Sequence, residues 1–165
     1  MKARKHGAAA MTWTVRPLVA DDAAEAVAVI HAAFSAQALQ TDPPPGAIRE
    51  SVGSVSEHIG RSGGACVHDG GSMLGVVLWS AADRGFYFGR LAVRPDHRGR
   101  GIGRQLVAAV EAEARRRGLP RLVAGTRLVL ADNRAFFAAC GFQEVEVTAH
   151  PGYATPTSVN LERQL

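Results

Sequence analysis

Between residues 23 and 36 the apolar side chains Val27, Ile30, Ala33 and Phe34 recur at three- and four-residue steps, the spacing of a helix with one buried face. Asp21 and Asp22 stand just before it, where the unpaired N–H groups of a helix start favour a carboxylate, and the helix is expected to end near Ala36. Ahead of it, residues 12–17 alternate as a first strand. Behind it, residues 37–46, with Pro43, Pro44 and Pro45, form an extended connector. Ile48, Val52, Val55 and Ile59 then give a second helical stripe. Residues 65–68 and 73–80 flank Gly70-Gly71 as a hairpin, and residues 85–93 add a third strand to the meander. Gly89, inside that aromatic-rich strand, either marks a bulge or relieves crowding.

Periodicity returns at residues 101–118, where Ile102, Leu106, Val110 and Ala114 form one stripe. Glu111 with Arg115 and Glu113 with Arg117 lie four apart on the wet side. Gly118 and Pro120 end this helix, and residues 122–128 read as a buried strand, parallel to the one before and reached by a right-handed crossover. Residues 132–142 hold a short helix closed by Gly141. Residues 144–148 and 158–163 alternate as a terminal antiparallel pair.

The densest chemistry lies in residues 90–106, RLAVRPDHRGRGIGRQL. Leu91-Ala92-Val93 runs as strand, Pro95 halts it, and a basic turn with glycines at 99, 101 and 103 opens the next helix. Glycines let backbone pass close to another molecule, and the first turn of a helix leaves N–H groups unpaired at the positive end of its dipole. With Arg94, Arg98, Arg100 and Arg104 around it, this turn suits a phosphate or pyrophosphate. It lacks the Gly-Lys-Ser/Thr ending of a nucleotide hydrolase loop. It is also followed by no acidic residue at the end of strand 122–128 to hold a nicotinamide cofactor's ribose.

Arg98-Gly99-Arg100-Gly101-Ile102-Gly103 resembles the Arg/Gln-x-x-Gly-x-Gly/Ala turn of the GNAT superfamily of acyl-CoA-dependent N-acetyltransferases, here preceded by a Leu-Ala-Val strand and a proline. The resemblance is strong over residues 73–142 and weaker elsewhere. It implies an α/β fold: a mixed, mostly antiparallel sheet of about seven strands, flanked by about four helices, with a splay between the fourth and fifth strands. It further implies that acetyl-CoA binds there, with the amides of residues 98–104 on its pyrophosphate and the backbone of Leu91, Ala92 and Val93 along its pantetheine arm. An N–H near Val93 would polarise the thioester carbonyl. Loop 37–46 would help shape the acceptor pocket.

Asp132 to Phe142 is similar to the second GNAT motif, an aromatic pair followed by three residues and Gly-Phe. By that pattern Asn133 bonds the coenzyme arm, although asparagine at a helix start also serves as a cap. Phe136 and Phe137 are the aromatic pair, and Phe137 stands where many members carry a tyrosine that protonates the departing thiolate. The chain departs from the family's pattern at that position. Here Phe137 packs against the pantetheine or the core, and a thiol of pKa about 8.5 leaves readily as the anion.

A primary amine of pKa about 10 must lose a proton before it attacks, so the site needs a base or a pocket that disfavours the ammonium form. No local motif selects that base among Glu50, Glu57, Asp83, Glu144 and Glu146. His150 and Tyr153, in the last loop, would overhang the acceptor site and bind or deprotonate an amine, or else form a turn with its aromatic pinned to the surface. No activated Ser or Cys nucleophile is visible, so direct transfer in a ternary complex is expected. The expected activity is N-acetyl transfer to a small-molecule or peptide amine. The alternative is a catalytically silent acyl-CoA-binding module.

Composition adds bounds. A length of 165 residues and 47% hydrophobic content suit one domain, taken as residues 12–165. Residues 1–11 are basic and small-residue rich without periodicity, and read as a disordered or non-native leader with Met11 as an alternative start. No apolar run approaches the roughly 18 residues of a membrane span. The two cysteines, Cys66 and Cys140, read as small buried hydrophobes, which suits a reducing, cytoplasmic setting. The net charge of +4 is concentrated in the turn, the leader and Arg115-Arg116-Arg117, with no interleaved aromatics for stacking bases, so no nucleic-acid or membrane partner is expected. A homodimer is allowed.

Overall fold

The computed structural model describes residues 12–83 and 85–165. The leader expected over residues 1–11 lies outside the described residues. Among the described residues seven strands form one sheet in the order β1-β2-β3-β4-β5-β7-β6. They are β1 (Thr14–Pro17), β2 (Gly64–His68), β3 (Met73–Ala82), β4 (Gly85–Val93), β5 (Arg121–Arg127), β6 (Gln143–Thr148) and β7 (Ser158–Gln164). Every pairing is antiparallel except β4 with β5. Among the described residues four α-helices accompany them: α1 (Ala23–Ser35), α2 (Val52–Arg61), α3 (Ile102–Arg116) and α4 (Ala131–Ala139).

The core is two-sided because β3 is buried on both faces along most of its length. On one face Val27, Ile30 and Ala33 of α1 and Val55 of α2 pack on Met73, Val76, Leu78 and Ala92. On the other, Ile102, Leu106, Val110 and Ala114 of α3, the stripe expected from spacing, pack on Leu74, Val77 and Phe86. Phe137 and Phe142 close that side against Phe88, with ring centroids 5.7–6.2 Å apart. Such burial, at about 25 cal/mol per Å² of apolar surface, is the main force fixing the helices on the sheet.

Local chemistry differs from expectation at several ends. Asp22 precedes α1, but its carboxylate accepts from the Val19 N–H (2.8 Å) and the Arg16 guanidinium (2.8 and 2.9 Å) rather than capping the helix. Ile48 is not part of α2. It sits in a separate 3-10 turn, Gly46–Arg49, and is exposed like Val52, while Ser51 caps α2 by accepting from the Ser54 N–H at 3.0 Å. Proline density in the connector delays the helix until a residue able to cap it arrives. Cys66 is buried as expected, whereas Cys140 is only half-buried, and neither is in a disulfide. Among the described residues no helix is long and apolar enough to cross a membrane.

Two features of β4 position the site. Parallel pairing with β5 covers only Phe86 with Leu122 and Tyr87 with Val123, after which the strands part. Against β3, Val76 faces Ala92 but Leu78 faces Gly89, so β4 carries one extra residue between them. The bulge falls at Arg90, whose φ of 52° is left-handed, and not at Gly89 itself. Gly89 relieves crowding instead: a Cβ there would lie 3.1 Å from the Tyr87 hydroxyl.

Two outcomes test this packing. A side chain at Gly75 would meet Ile102 at 2.8 Å and Leu106 at 3.0 Å, both in the buried face of α3. Gly75→Ala is therefore expected to destabilise the fold by about 1–3 kcal/mol in denaturant unfolding, and an unchanged midpoint contradicts the α3 docking. On the wet side of α3, the Arg116 and Arg117 guanidiniums hold the Glu113 carboxyl down to about 2. A carboxyl lowered from its ordinary 4.5 stabilises the fold above that value and loses the contribution as pH falls toward about 2. Glu113→Gln should flatten the stability-versus-pH curve in that acid window, read by thermal unfolding at stepped pH.

Candidate active site

The parting of β4 and β5 leaves strand edges without partners. The Arg94 N–H donates to Leu74 O at 2.8 Å, toward β3. Alternation then turns the N–H and C=O groups of Leu91 and Val93 the other way, into the gap. Two cavities meet there. One, of about 810 Å³, is bounded by β4 residues Leu91, Ala92 and Val93, by the turn from His97 to Arg104, and by Asp132 and Asn133 of α4. The other, of about 600 Å³, lies between the connector at Pro43–Ala47, the strand ends at Tyr87–Leu91 and Ala124–Arg127, and the loop at Thr148–Pro151. Phe34, Gln37, Leu91, Leu130, Asn133 and Phe136 wall both, so the cavities form one cleft through the sheet.

In the first cavity the turn has the geometry of an anion cradle. Gly101 precedes α3 with φ 85° and Gly99 has φ 74°, and a Cβ on either would meet nothing within 4 Å. Both glycines are required by backbone conformation and face open space. The Gln105 N–H donates to Gly101 O at 3.1 Å, so the amides of Ile102, Gly103 and Arg104 have no acceptor within the helix, and no side chain caps this end. Gly103 has a different reason: a Cβ there would crowd the Phe136 ring at 3.2 Å, so it lets α4 approach.

The arginines divide. Arg98 donates to Ala33 O at 2.9 Å, tying the turn to the end of α1, and Arg94 donates to Met73 O at 2.7 Å. Both brace the turn, and Arg104, which also lines this cavity, brings charge to it. The unpaired amides, the open glycines and the free strand edge together fit an acyl-CoA: amides 102–104 for its phosphates, Leu91 and Val93 for its amide-bearing arm.

Asn133 is not a helix cap. It is the third residue of α4, which Leu130 precedes, and its amide reaches only Thr126 Oγ1 at 3.4 Å. Phe137 packs in the core, with Phe136 at 5.4 Å and Phe142 at 5.5 Å between centroids.

The second cavity carries His150, whose Nδ1 is bonded to the Thr157 hydroxyl, leaving Nε2 without a protein partner among the described residues. Burial and the Arg127 charge lower its pKa from 6.5, so the ring is neutral at pH 7. Tyr153 does not line the cleft. Its hydroxyl donates to Asp42 Oδ1 at 2.5 Å, which raises its pKa and ties the last loop to the connector. Of the two readings offered for Tyr153, this bond matches the aromatic pinned in a turn.

None of the carboxylates considered as bases lines the cleft. Glu57 pairs with Arg61 and Glu144 with Arg134 on the surface, and Glu146 accepts from Asn160. Glu50 comes nearest, but Arg90 Nε (2.9 Å) and the Ser54 hydroxyl (2.5 Å) hold it. Burial alone would raise its pKa, and these two bonds outweigh that and lower it. Sequence reading missed Tyr87, Arg49, Arg90 and Arg127, which all line the second cavity. Only Arg127 left a trace, since a parallel strand end faces the same edge as the turn after β4.

Comparison with known proteins agrees with this architecture. No curated sequence matches the chain. Among solved structures, the ribosomal-protein-S18-alanine N-acetyltransferase from Escherichia coli superposes with a TM-score of 0.74 at 20% identity, covering 93% of this chain and 94% of that one. The PaiA N-acetyltransferase from Thermoplasma acidophilum, in complex with coenzyme A, gives 0.76 at 17% identity, over 94% of this chain and 100% of that one. An IAA acetyltransferase from Bacillus cereus gives 0.67 at 18% identity, over 93% and 100%. At such identities the likeness speaks to the fold, and the acceptors in these names differ. The model of the acetyltransferase (GNAT) family, however, matches residues 30–142, well over half of the sequence. With its phosphate-type turn, its splayed sheet and that match, the chain belongs to the GNAT family of acetyltransferases, which use acetyl-CoA.

Proposed function

We propose that this protein transfers an acetyl group from acetyl-CoA to a primary amine by direct attack while both are bound. The observation that carries the reading is the continuous cleft through the β4–β5 gap, with an anion cradle at one end and His150 at the other. Acetyl-CoA supplies an acyl thioester, already activated toward an amine. The amides of Ile102, Gly103 and Arg104 hold its phosphates, and the edge of Leu91 and Val93 aligns its arm, which brings the reactants to a near-attack distance without entropy loss in the reacting step. The Val93 N–H, fixed by the strand, is aimed where negative charge grows on the carbonyl oxygen.

His150 is the proposed base. Its neutral ring, with Nδ1 engaged by Thr157, offers Nε2 to the amine directly or through a water. The arginines in the same cavity disfavour an ammonium ion there, so the field of the pocket helps to deliver the acceptor as the neutral amine. A covalent acyl-enzyme finds no support: burial pushes the Cys66 thiol up to about 11, and burial likewise raises that of Cys140. Phe137 has no proton to donate to the leaving sulfur, which departs as the thiolate.

Three outcomes test this reading. Gly101→Val is expected to weaken acetyl-CoA binding more than tenfold by calorimetry, because a side chain enters the cradle and the left-handed backbone is strained, while circular dichroism keeps the native spectrum. Unchanged affinity sinks the cradle. His150→Gln is expected to lower kcat by about 10²–10⁴-fold and to remove the acid limb of kcat/KM, which in the parent lies below pH 6.5. A full-activity variant with the parent profile removes His150 from the chemistry. Phe137→Tyr puts a hydroxyl among Phe88, Phe136 and Phe142, and is expected to cost about 1–3 kcal/mol of stability with no gain in turnover. A tenfold gain means that thiolate protonation limits the parent.

A further inference from the structure

The acceptor end of the cleft is lined by three guanidiniums, Arg49, Arg90 and Arg127, and among the described residues by no carboxylate. Arg49 and Arg90 converge: terminal nitrogens of both would lie within 3.4–3.5 Å of a single Cβ placed on Gly46. Like charges held this close repel unless an anion lies between them. One carboxylate is adjacent, Glu50, and Arg90 Nε and Ser54 already engage it. Arg49 has no ion pair or hydrogen bond among the described residues.

Arg127 is more unusual. It reaches the cavity from the end of β5, and its Nη2 donates to Pro44 O at 3.3 Å. Its Nη1 is buried and has no hydrogen-bond partner among the described residues. A buried guanidinium N–H left unbonded is costly, and folded proteins keep such a group chiefly where something else satisfies it. Asp42 lies near enough to act on Arg127 through its charge, but it accepts the Tyr153 hydroxyl. Around the pocket, then, each nearby carboxylate is engaged, and two of the three guanidiniums, Arg49 and Arg127, are in no ion pair among the described residues.

We infer that the acceptor is an amine that also carries an anionic group, a carboxylate or a phosphate, gripped by Arg49 and Arg127 with Arg90 beside them. Guanidinium forks suit both groups through paired N–H···O bonds. With the anion on the arginines, the amine of a short molecule points back along the cleft toward the β4–β5 gap and His150. A polyamine or other polycation is disfavoured by the same charges. This inference rests on the acetyl-transfer reading above, and its test separates the two.

Thiol release is measured at saturating acetyl-CoA for matched acceptors: α-, β- and γ-amino acids, their amides, and the amines lacking the carboxylate; and aminoalkyl phosphates against the corresponding amino alcohols. The expected result is at least a tenfold higher kcat/KM for the anionic member of a pair, with the better arm naming carboxylate or phosphate. Arg127→Gln and, separately, Arg49→Gln, an exposed position with no hydrogen bond or ion pair among the described residues, should each raise KM for that acceptor at least tenfold and erase the preference. Neutral or cationic amines used as well as their anionic partners overturn the inference and leave acetyl transfer standing. So does a preference unchanged in both folded variants. Absence of thiol release with every acceptor instead overturns the acetyl-transfer reading. In that case calorimetric titration of the same acids into the coenzyme A complex decides the anion site: binding weakened tenfold in both variants supports it, and no binding overturns it.

Discussion

The structure depends on where the pairing of β4 with β5 stops. Two residue pairs hold them parallel, and beyond Tyr87 and Val123 each strand keeps a row of backbone groups with no sheet partner. Buried polar backbone groups must be satisfied, so an opening of this kind in the middle of a sheet is stable only if something with matching donors and acceptors completes it. The bulge at Arg90 contributes to the same end, since the extra residue bends β4 away from β5 and turns Leu91 and Val93 into the gap. The unusual backbone at Arg90 is held by the ion pair of its side chain with Glu50.

Everything else in the site is arranged around that gap. The α3 stripe presses the helix onto β3 and β4, which sets the unpaired amides of its first turn beside the strand edge. Arg98 and Arg94 brace the turn through backbone carbonyls of α1 and β3. On the far side the connector and the last loop are tied by Tyr153 and Asp42, and close the acceptor cavity over His150 and Arg127. The coenzyme side is built mainly of backbone, the acceptor side of side chains. That division explains why one fold serves proteins named for quite different acceptors.

The same division governs what was legible in the sequence. The turn at residues 98–104 was readable because its requirement is for residue type at fixed spacing: glycine where φ is positive, and helix periodicity directly after. The α3 stripe, the terminal hairpin and the position of the splay followed from periodicity and from resemblance. What escaped depends on tertiary geometry. Nothing local says that Arg94 and Arg98 turn inward to carbonyls. Gly89 could be read as a bulge or as relief of crowding; the bulge falls at Arg90, where an ion pair from a distant turn compensates. Tyr153 was read either as chemistry or as an aromatic pinned in a turn, and only the fold shows its tie to Asp42. Arg49, Arg90 and Arg127 lie 37 or more positions apart in places and meet only in the folded chain.

The central claim is that the unpaired edge of β4 and the first turn of α3 hold the coenzyme. Amide hydrogen exchange, resolved by residue and compared with and without saturating coenzyme A, reads those groups directly. The account predicts that the amides of Leu91, Val93, Gly103 and Arg104 exchange markedly more slowly in the complex, while those of the β6–β7 edge do not change. Coenzyme A that binds and leaves these four amides as fast as before would contradict it.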